Sequence, residues 1–194
     1  MTLPLPASAA SAPDPGGPAL PDDLIAPAAE IFDPDAVLDA LFATFPAGAD
    51  EVAVRKITVQ RLAEARSSGR ARIAEAFAAS PFDARATTRA YTWLTDGLVR
   101  TAFAVATRHL HKLPNPTQGE RLAVMAVGGY GRGEMAPFSD VDLLFLTPYK
   151  VTAWAESVIE SMLYILWDLK LKVGHSSRTV KDCLRLGAED FTIR

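Results

Sequence analysis

Hydrophobic positions change period several times along the chain, and each change marks an element. After Asp33-Pro34, Val37, Leu38, Leu41 and Phe42 recur at helical spacing, which predicts a short helix between Ile31 and Phe45. From Asp50 to Ala79 the apolar positions are Val54, Ile57, Leu62, Ile73 and Phe77, with Ser67-Ser68-Gly69 expected to bend or interrupt the helix. Ser80-Pro81-Phe82-Asp83 reads as the next helix start: Ser80 caps, Pro81 fits the first turn, and Asp83 takes the acidic place of a capping box. The helix behind it repeats Tyr91, Leu94, Leu98, Ala102 and Val105 and stops at Leu113-Pro114-Asn115-Pro116. The period then shortens. Leu122, Val124, Met125 and Val127 predict one buried strand between Arg121 and Val127, and Asp142 to Leu146 a second. Beyond Pro148, Val158, Met162, Ile165 and Leu169 define an apolar helix over Glu156 to Leu171, with Trp154 and Trp167 read as core. Lys172 to Arg178 reads as a third strand, and Thr179-x-x-Asp182 caps a last helix ending near Gly187.

The 194 residues are 49% hydrophobic with a formal charge of −3, enough for one domain with accessory helices. No basic excess argues for a nucleic-acid surface; Arg61, Arg66, Arg70 and Arg72 read as a solvated helix face. No run approaches the roughly 18 apolar residues of a membrane span, and no secretory signal opens the chain, so a cytoplasmic protein is expected. The single Cys183 excludes an internal disulfide. Residues 1–30, rich in Ala and Pro, read as a disordered leader. Residues 31–116 then form a helical N-terminal region, and residues 117–194 carry the candidate chemistry.

That chemistry centres on Gly128-Gly129-Tyr130-Gly131-Arg132-Gly133-Glu134, followed by Ser139-Asp140-Val141-Asp142. Glycines directly after a strand let backbone approach a ligand and turn where a Cβ would block it. Their N–H groups suit an anion such as a triphosphate. Asp140 and Asp142, two apart on an extended strand, leave from one face with Cα atoms roughly 6–7 Å apart. Paired carboxylates make a hard oxygen site of the kind Mg²⁺ prefers. A phosphate cradle beside such a site points to phosphoryl or nucleotidyl transfer. The dinucleotide fingerprint and the kinase loop fail because Glu134 stands where their third glycine belongs, and the ATPase phosphate loop fails for want of a lysine. His109 and His111 suit a helix C-terminus, His175 a structural or ligand-facing place, and Arg178 a phosphate contact through its fork geometry.

The run G-G-Y-G-R-G-E then S-D-V-D-L-L resembles the nucleotidyltransferase domain of the bifunctional uridylyltransferase/uridylyl-removing enzymes that act on the PII nitrogen-regulatory protein. Leu166-Trp167-Asp168-Leu169-Lys170 and Val173-Gly174-His175-Ser176-Ser177-Arg178-Thr179 extend the likeness, which covers roughly Ala49 to Arg194. The resemblance implies an α+β, polymerase-β-like nucleotidyltransferase core: a short mixed sheet with helices. It also implies Mg²⁺-dependent transfer of UMP from UTP to a tyrosine of the PII signal protein, releasing pyrophosphate, in nitrogen-status signalling. Asp140 and Asp142 would hold the metal and orient the α-phosphate. Gly128, Gly129 and Gly131 would cradle the triphosphate, with Arg132 and Ser139 as supporting polar groups. UTP rests on the resemblance alone, since phosphate and Mg²⁺ contacts are common to all nucleoside triphosphates. Two departures stand out. The superfamily's third carboxylate has no counterpart in Lys172 to Arg178; Asp168 and Asp182 lie outside that strand. The family's HD phosphohydrolase and glutamine-sensing domains are absent, as no His is followed by Asp, so an N-terminal fragment is expected. Two alternatives stay open: another protein nucleotidyltransferase, such as a glutamine synthetase adenylyltransferase or an orphan signalling relative, and a catalytically incomplete nucleotide-binding fragment.

Overall fold

Residues 20–189 are described by a computed structural model. Four helices make up the N-terminal half: α1 (Ala28–Ile31), α2 (Pro34–Thr44), α3 (Glu51–Ala79) and α4 (Ala84–Val105), the last running into a π-helical turn at Ala106–Leu110. Three aspartates start the long ones. Asp33, Asp50 and Asp83 accept from the N–H groups of Ala36, Ala53 and Ala86 at 3.0, 2.8 and 3.1 Å, satisfying amides that have no helical acceptor. The expected cap at Ser80 is therefore displaced by three residues. Ser80 closes α3, its N–H donating to Ala76 and Phe77, and Pro81-Phe82 form the turn before Asp83.

The expected break at Ser67-Ser68-Gly69 does not occur, and α3 is continuous. Gly69 instead makes room for a neighbour, because a Cβ there would overlap the carbonyl oxygen of Ile31. Gly97 on α4 likewise leaves space for the Phe32 ring. The Trp93 indole N–H donates to the carbonyls of Ala28 and Phe32, both at 3.0 Å. These contacts correct the leader expectation from residue 20 onward. Ala26, Ala28, Ile31 and Phe32 are buried, Glu30 pairs with Arg72 at 2.6 Å, and Asp23 pairs with Arg89. Composition hid this, since one backbone carbonyl at Gly69 and one ring at Gly97, each seated in a glycine notch, help dock the segment. The leader expected over residues 1–19 lies outside the described residues.

The second half is a three-stranded sheet in the order β1 (Ala123–Ala126), β2 (Val141–Thr147), β3 (Val173–Thr179). β1 runs antiparallel to β2, pairing Ala126 with Leu143 and Ala123 with Leu146. β3 runs parallel to β2, pairing Asp142 with Gly174 and Leu146 with Arg178. Parallel neighbours need a crossover, supplied by α6 (Ala153–Asp168), whose N-cap Thr152 accepts from the Ala155 N–H at 3.2 Å. Along β2, Val141, Leu143, Phe145 and Thr147 are buried, while Asp142, Leu144 and Leu146 on the other face are half-buried. The buried face joins one apolar core with Leu98 and Val105 of α4 and Val158, Met162 and Ile165 of α6. A final helix, α7 (Val180–Glu189), follows β3 directly, with Thr179 and Asp182 closing the expected capping box. The architecture is the α+β, polymerase-β-like one: a short mixed sheet preceded by a helical segment.

Trp154 is part-buried, its indole N–H donating to the His111 carbonyl at 2.7 Å. Trp167 departs from expectation: it is exposed and stands edge-on to Tyr164 and His175, because its position on α6 faces away from the sheet core. Among the described residues, no helix is long and apolar enough to cross a membrane.

In an isolated helix Gly→Ala is stabilising by roughly 1 kcal/mol. Gly69→Ala is expected to do the opposite, destabilising by about 1–3 kcal/mol through overpacking against the Ile31 backbone. Urea unfolding checks the sign: a raised midpoint would refute the packing role of this notch.

Candidate functional site

The glycine turn forms where β1 ends. The Val127 N–H donates to the Asp142 carbonyl at 3.0 Å, and the chain then enters the single helical turn α5 (Gly128–Gly131) with Gly128 at a φ of 61°. That left-handed value favours glycine. Gly131 is required for a different reason, since a Cβ there would lie 2.6 Å from the Ala126 carbonyl oxygen and push the turn off β1. The N–H groups of Gly131, Arg132, Gly133 and Glu134 donate to the carbonyls of Val127, Gly128, Tyr130 and Gly129. The amides of Gly128, Gly129 and Tyr130 belong to the first turn and have no acceptor within the helix. Arg132 is held by Glu134 at 2.8 Å in an exposed ion pair.

Asp142 points between two glycines. A Cβ at Gly128 would lie 3.0 Å from Oδ2, and one at Gly174, its register partner on β3, would overlap Oδ1. Its carboxylate thus fills space that any other residue at either position would take. Asp140 is exposed in the residue position just before β2. Ser139 accepts from the Ala136 N–H at 2.9 Å, so its hydroxyl shapes the turn that leads into the strand. Neither Asp140 nor Asp142 has an ion-pair partner among the described residues.

The other candidates lie apart. Arg178 shares the Asp142 face of the sheet, but it sits four positions beyond Gly174, roughly 13 Å along the strand. His175 faces the other side, edge-on to Phe145 and Trp167. Asp168 pairs with Arg55 at 3.5 Å, and Asp182 is held below the usual carboxylate range by the Thr179 hydroxyl and backbone as it caps α7. Among the described residues, no group of three or more His, Cys, Asp or Glu side chains is placed to hold a metal ion.

Two residues of the site escaped sequence reasoning. Gly174 reads as an ordinary strand residue until its register opposite Asp142 is known, although a glycine inside a strand is itself a signal of close approach. Tyr130, the one aromatic side chain among the glycines, is buried and donates its hydroxyl to Asp96 Oδ1 on α4 at 2.7 Å. Burial, then the Asp96 charge, pushes the Tyr130 phenol up beyond its ordinary range. Burial also raises Asp96, opposed by the Tyr130 hydrogen bond and by Arg100. This contact ties the glycine turn to the helical half.

The family model described as glutamate-ammonia ligase adenylyltransferase matches residues 18–173. The chain belongs to that family. Curated relatives carry the name bifunctional uridylyltransferase/uridylyl-removing enzyme. The one from Ruegeria pomeroyi is 67% identical over 164 residues, covering 84% of this chain and 18% of the relative. That from Cereibacter sphaeroides is 58% identical over 173 residues, covering 88% and 19%. That from Phenylobacterium zucineum is 53% identical over 145 residues, covering 75% and 15%. The chain therefore spans less than a fifth of the length of these relatives. No solved structure matches it. Within the glutamate-ammonia ligase adenylyltransferase match fall the glycine turn, both aspartates and the first residue of β3.

Because Asp96 has a higher pKa folded than unfolded, the folded state holds its proton more tightly. Stability from this group therefore falls as pH rises from about the ordinary value of 3.8 through the folded value. Asp96→Asn keeps an acceptor for Tyr130 and removes that dependence. Its urea midpoint relative to the parent is expected to be higher at pH 7 than at pH 3; a difference constant with pH would refute the assignment.

Proposed function

We propose that this chain is the nucleotidyltransferase part of an enzyme that moves UMP from UTP to a tyrosine of the PII signal protein, releasing pyrophosphate. The observation that carries the reading is the half-buried Asp142 carboxylate seated between Gly128 and Gly174, with no counter-charge, beside the open end of the glycine turn. The curated relatives' name, which includes uridylyltransferase, supports the choice of UTP. In the full-length enzyme, phosphohydrolase and glutamine-sensing domains would follow.

The donor set fits a hard cation, since both carboxylates are unpaired and the glycines leave space around Asp142. Asp140 and Asp142 would hold Mg²⁺, which when bound supplies charge neutralisation at the phosphates. The free amides of Gly128 and Gly129 would bind the triphosphate oxygens, and Gly131 would keep that turn against β1. Ser139 would fix the approach of Asp140. Arg132 and Arg178 are the remaining proposed phosphate contacts, Arg132 after exchanging Glu134 for the ligand. The attacking phenol belongs to the partner protein and must lose its proton, because a tyrosine with pKa near 10 is mostly protonated at neutral pH.

A second reading, adenylyl transfer to glutamine synthetase, is favoured by the family model's own description. Competition between ATP and UTP for transfer separates the two. A third reading, a binding module without turnover, predicts thermal stabilisation by nucleotide in the absence of label transfer.

With labelled UTP and PII protein, Asp142→Asn is expected to lower label transfer by roughly 100-fold or more, the scale of several kcal/mol that a metal site contributes. Gly174→Ala is expected to do likewise while the protein stays folded, because the new methyl displaces the Asp142 carboxylate. Transfer unaffected by both changes would sink the assignment.

A further inference from the structure

A pocket of about 320 Å³ borders Ser139, and the nucleotide reading uses none of its other lining residues. Leu94 and Leu98 of α4, Met135 and Val141 form its apolar floor, all of them buried. Four cations ring it: Arg66 and Arg70 from α3, and Lys170 and Lys172 from the turn between α6 and β3. No carboxylate lines it, and none of the four makes an ion pair among the described residues. The seven ion pairs formed among the described residues all lie elsewhere.

The two arginines are placed rather than loose. Arg66 donates to the Leu169 carbonyl at 2.9 Å, and Arg70 donates to the Pro137 carbonyl at 2.8 Å. Arg70 also stacks between the rings of Tyr91 and Phe138, at 5.7 and 5.3 Å from their centroids. Burial, then the charge of Arg70, pulls the Arg66 guanidinium below its ordinary value, the direction expected of crowded cations lacking an anion. Lys170 has a φ of 59°, and no other described residue except glycine has a positive φ. It follows the Leu169 cap of α6, with its N–H donating to Trp167 and that of Leu171 to Leu166, the arrangement in which glycine is usual. The left-handed backbone at Lys170 belongs to the turn that closes α6, and it sets the lysine on the pocket rim. At the mouth, Phe138 is exposed.

We propose that this pocket is a second binding site, separate from Asp142 and the glycine turn, for a small organic anion with a phosphate or carboxylate head and an apolar body. The head is held by the ring of cations, and the body lies over Leu94, Leu98 and Tyr91. The solvated arginine face expected from sequence is, at Arg66 and Arg70, one wall of this pocket.

The test uses phenyl phosphate and benzoate as the two head-group arms, and inorganic phosphate as a head without a body. Binding is followed by amide chemical shifts at Ala136, Leu171 and Lys172. Saturable shifts with either aromatic anion, weaker with inorganic phosphate and weakened by salt, are expected; the tighter arm identifies the head group. Lys170→Gly combined with Lys172→Gln is expected to weaken binding about tenfold or more. Its melting temperature is expected to be no lower than the parent's, since glycine relieves the left-handed backbone. Asp142→Asn is expected to bind as the parent does. Absence of saturation by both aromatic anions would overturn the proposal, as would full binding by the double lysine variant, or loss of binding in Asp142→Asn. The last outcome would place the anion at the nucleotidyl-transfer site instead.

Discussion

Much of this structure follows from the room that one carboxylate needs. β2 is the central strand, so Asp142 has a neighbour on each side, and both neighbours must lack a Cβ at its level. One is Gly128, where β1 gives way to the turn; the other is Gly174, in register on β3. What keeps Asp142 aimed at that gap is the opposite face of the same strand. Val141, Leu143 and Phe145 are each at most 1% exposed, and a slip of one residue would carry them to the outside and the aspartate into the core. Burying three such side chains stabilises by several kcal/mol, at roughly 1.5–3 kcal/mol each. The orientation of the acid is thus set by hydrophobic packing on the face it does not occupy.

The helical half completes this arrangement. Tyr130 reaches out of the glycine turn to Asp96, so the turn is pinned to α4 as well as to β1. Further links cross the proposed division near residue 116: Arg66 to the Leu169 carbonyl, Arg70 to the Pro137 carbonyl, and Ser161 to Glu51 at 2.8 Å. Residues 20–32 in turn dock on α3 and α4 through Gly69, Gly97 and Trp93. The same α4 that packs under β2 with Leu98 and Val105 therefore carries the N-terminal segment on another side.

Legibility from sequence followed the range of the interaction. Period and caps are local, so the strands, α6 and the α7 capping box were readable from Val158 to Leu169 and from Thr179-x-x-Asp182. The glycine turn and Asp142 were readable because they are contiguous and chemically unusual together. What stayed hidden depends on partners distant in sequence. Gly69 looked like a breaker because its partner, the Ile31 carbonyl, lies 38 residues away by subtraction of the two positions. Gly174, a glycine inside a strand, signals a close approach but not its partner, which only the parallel register opposite Asp142 supplies. Ser80 and Asp83 both satisfy the capping rule, and only the turn at Pro81-Phe82 decides between them. Residue type alone sends Trp167 to the core, whereas its place on α6 decides its exposure.

Lys170 is where local rules and the tertiary structure conflict most openly. A cation near the end of a helix is favoured by the helix dipole, and α6 ends just before it. That term is typically about 0.3–1 kcal/mol for an exposed group. The left-handed conformation costs a non-glycine residue roughly 1–2 kcal/mol, so the dipole alone does not offset it. A glycine at this position with a lysine one residue earlier or later would satisfy both rules at once. The chain instead keeps the strained lysine where its side chain joins Arg66, Arg70 and Lys172 around a space that no carboxylate enters. Like charges gathered this way repel one another, which adds to the backbone cost. The backbone cost is offset in part by the turn itself, since the Lys170 and Leu171 N–H groups satisfy the Trp167 and Leu166 carbonyls at the end of α6. The repulsion among the four cations has no such offset within the turn, and an anion seated among them would supply it.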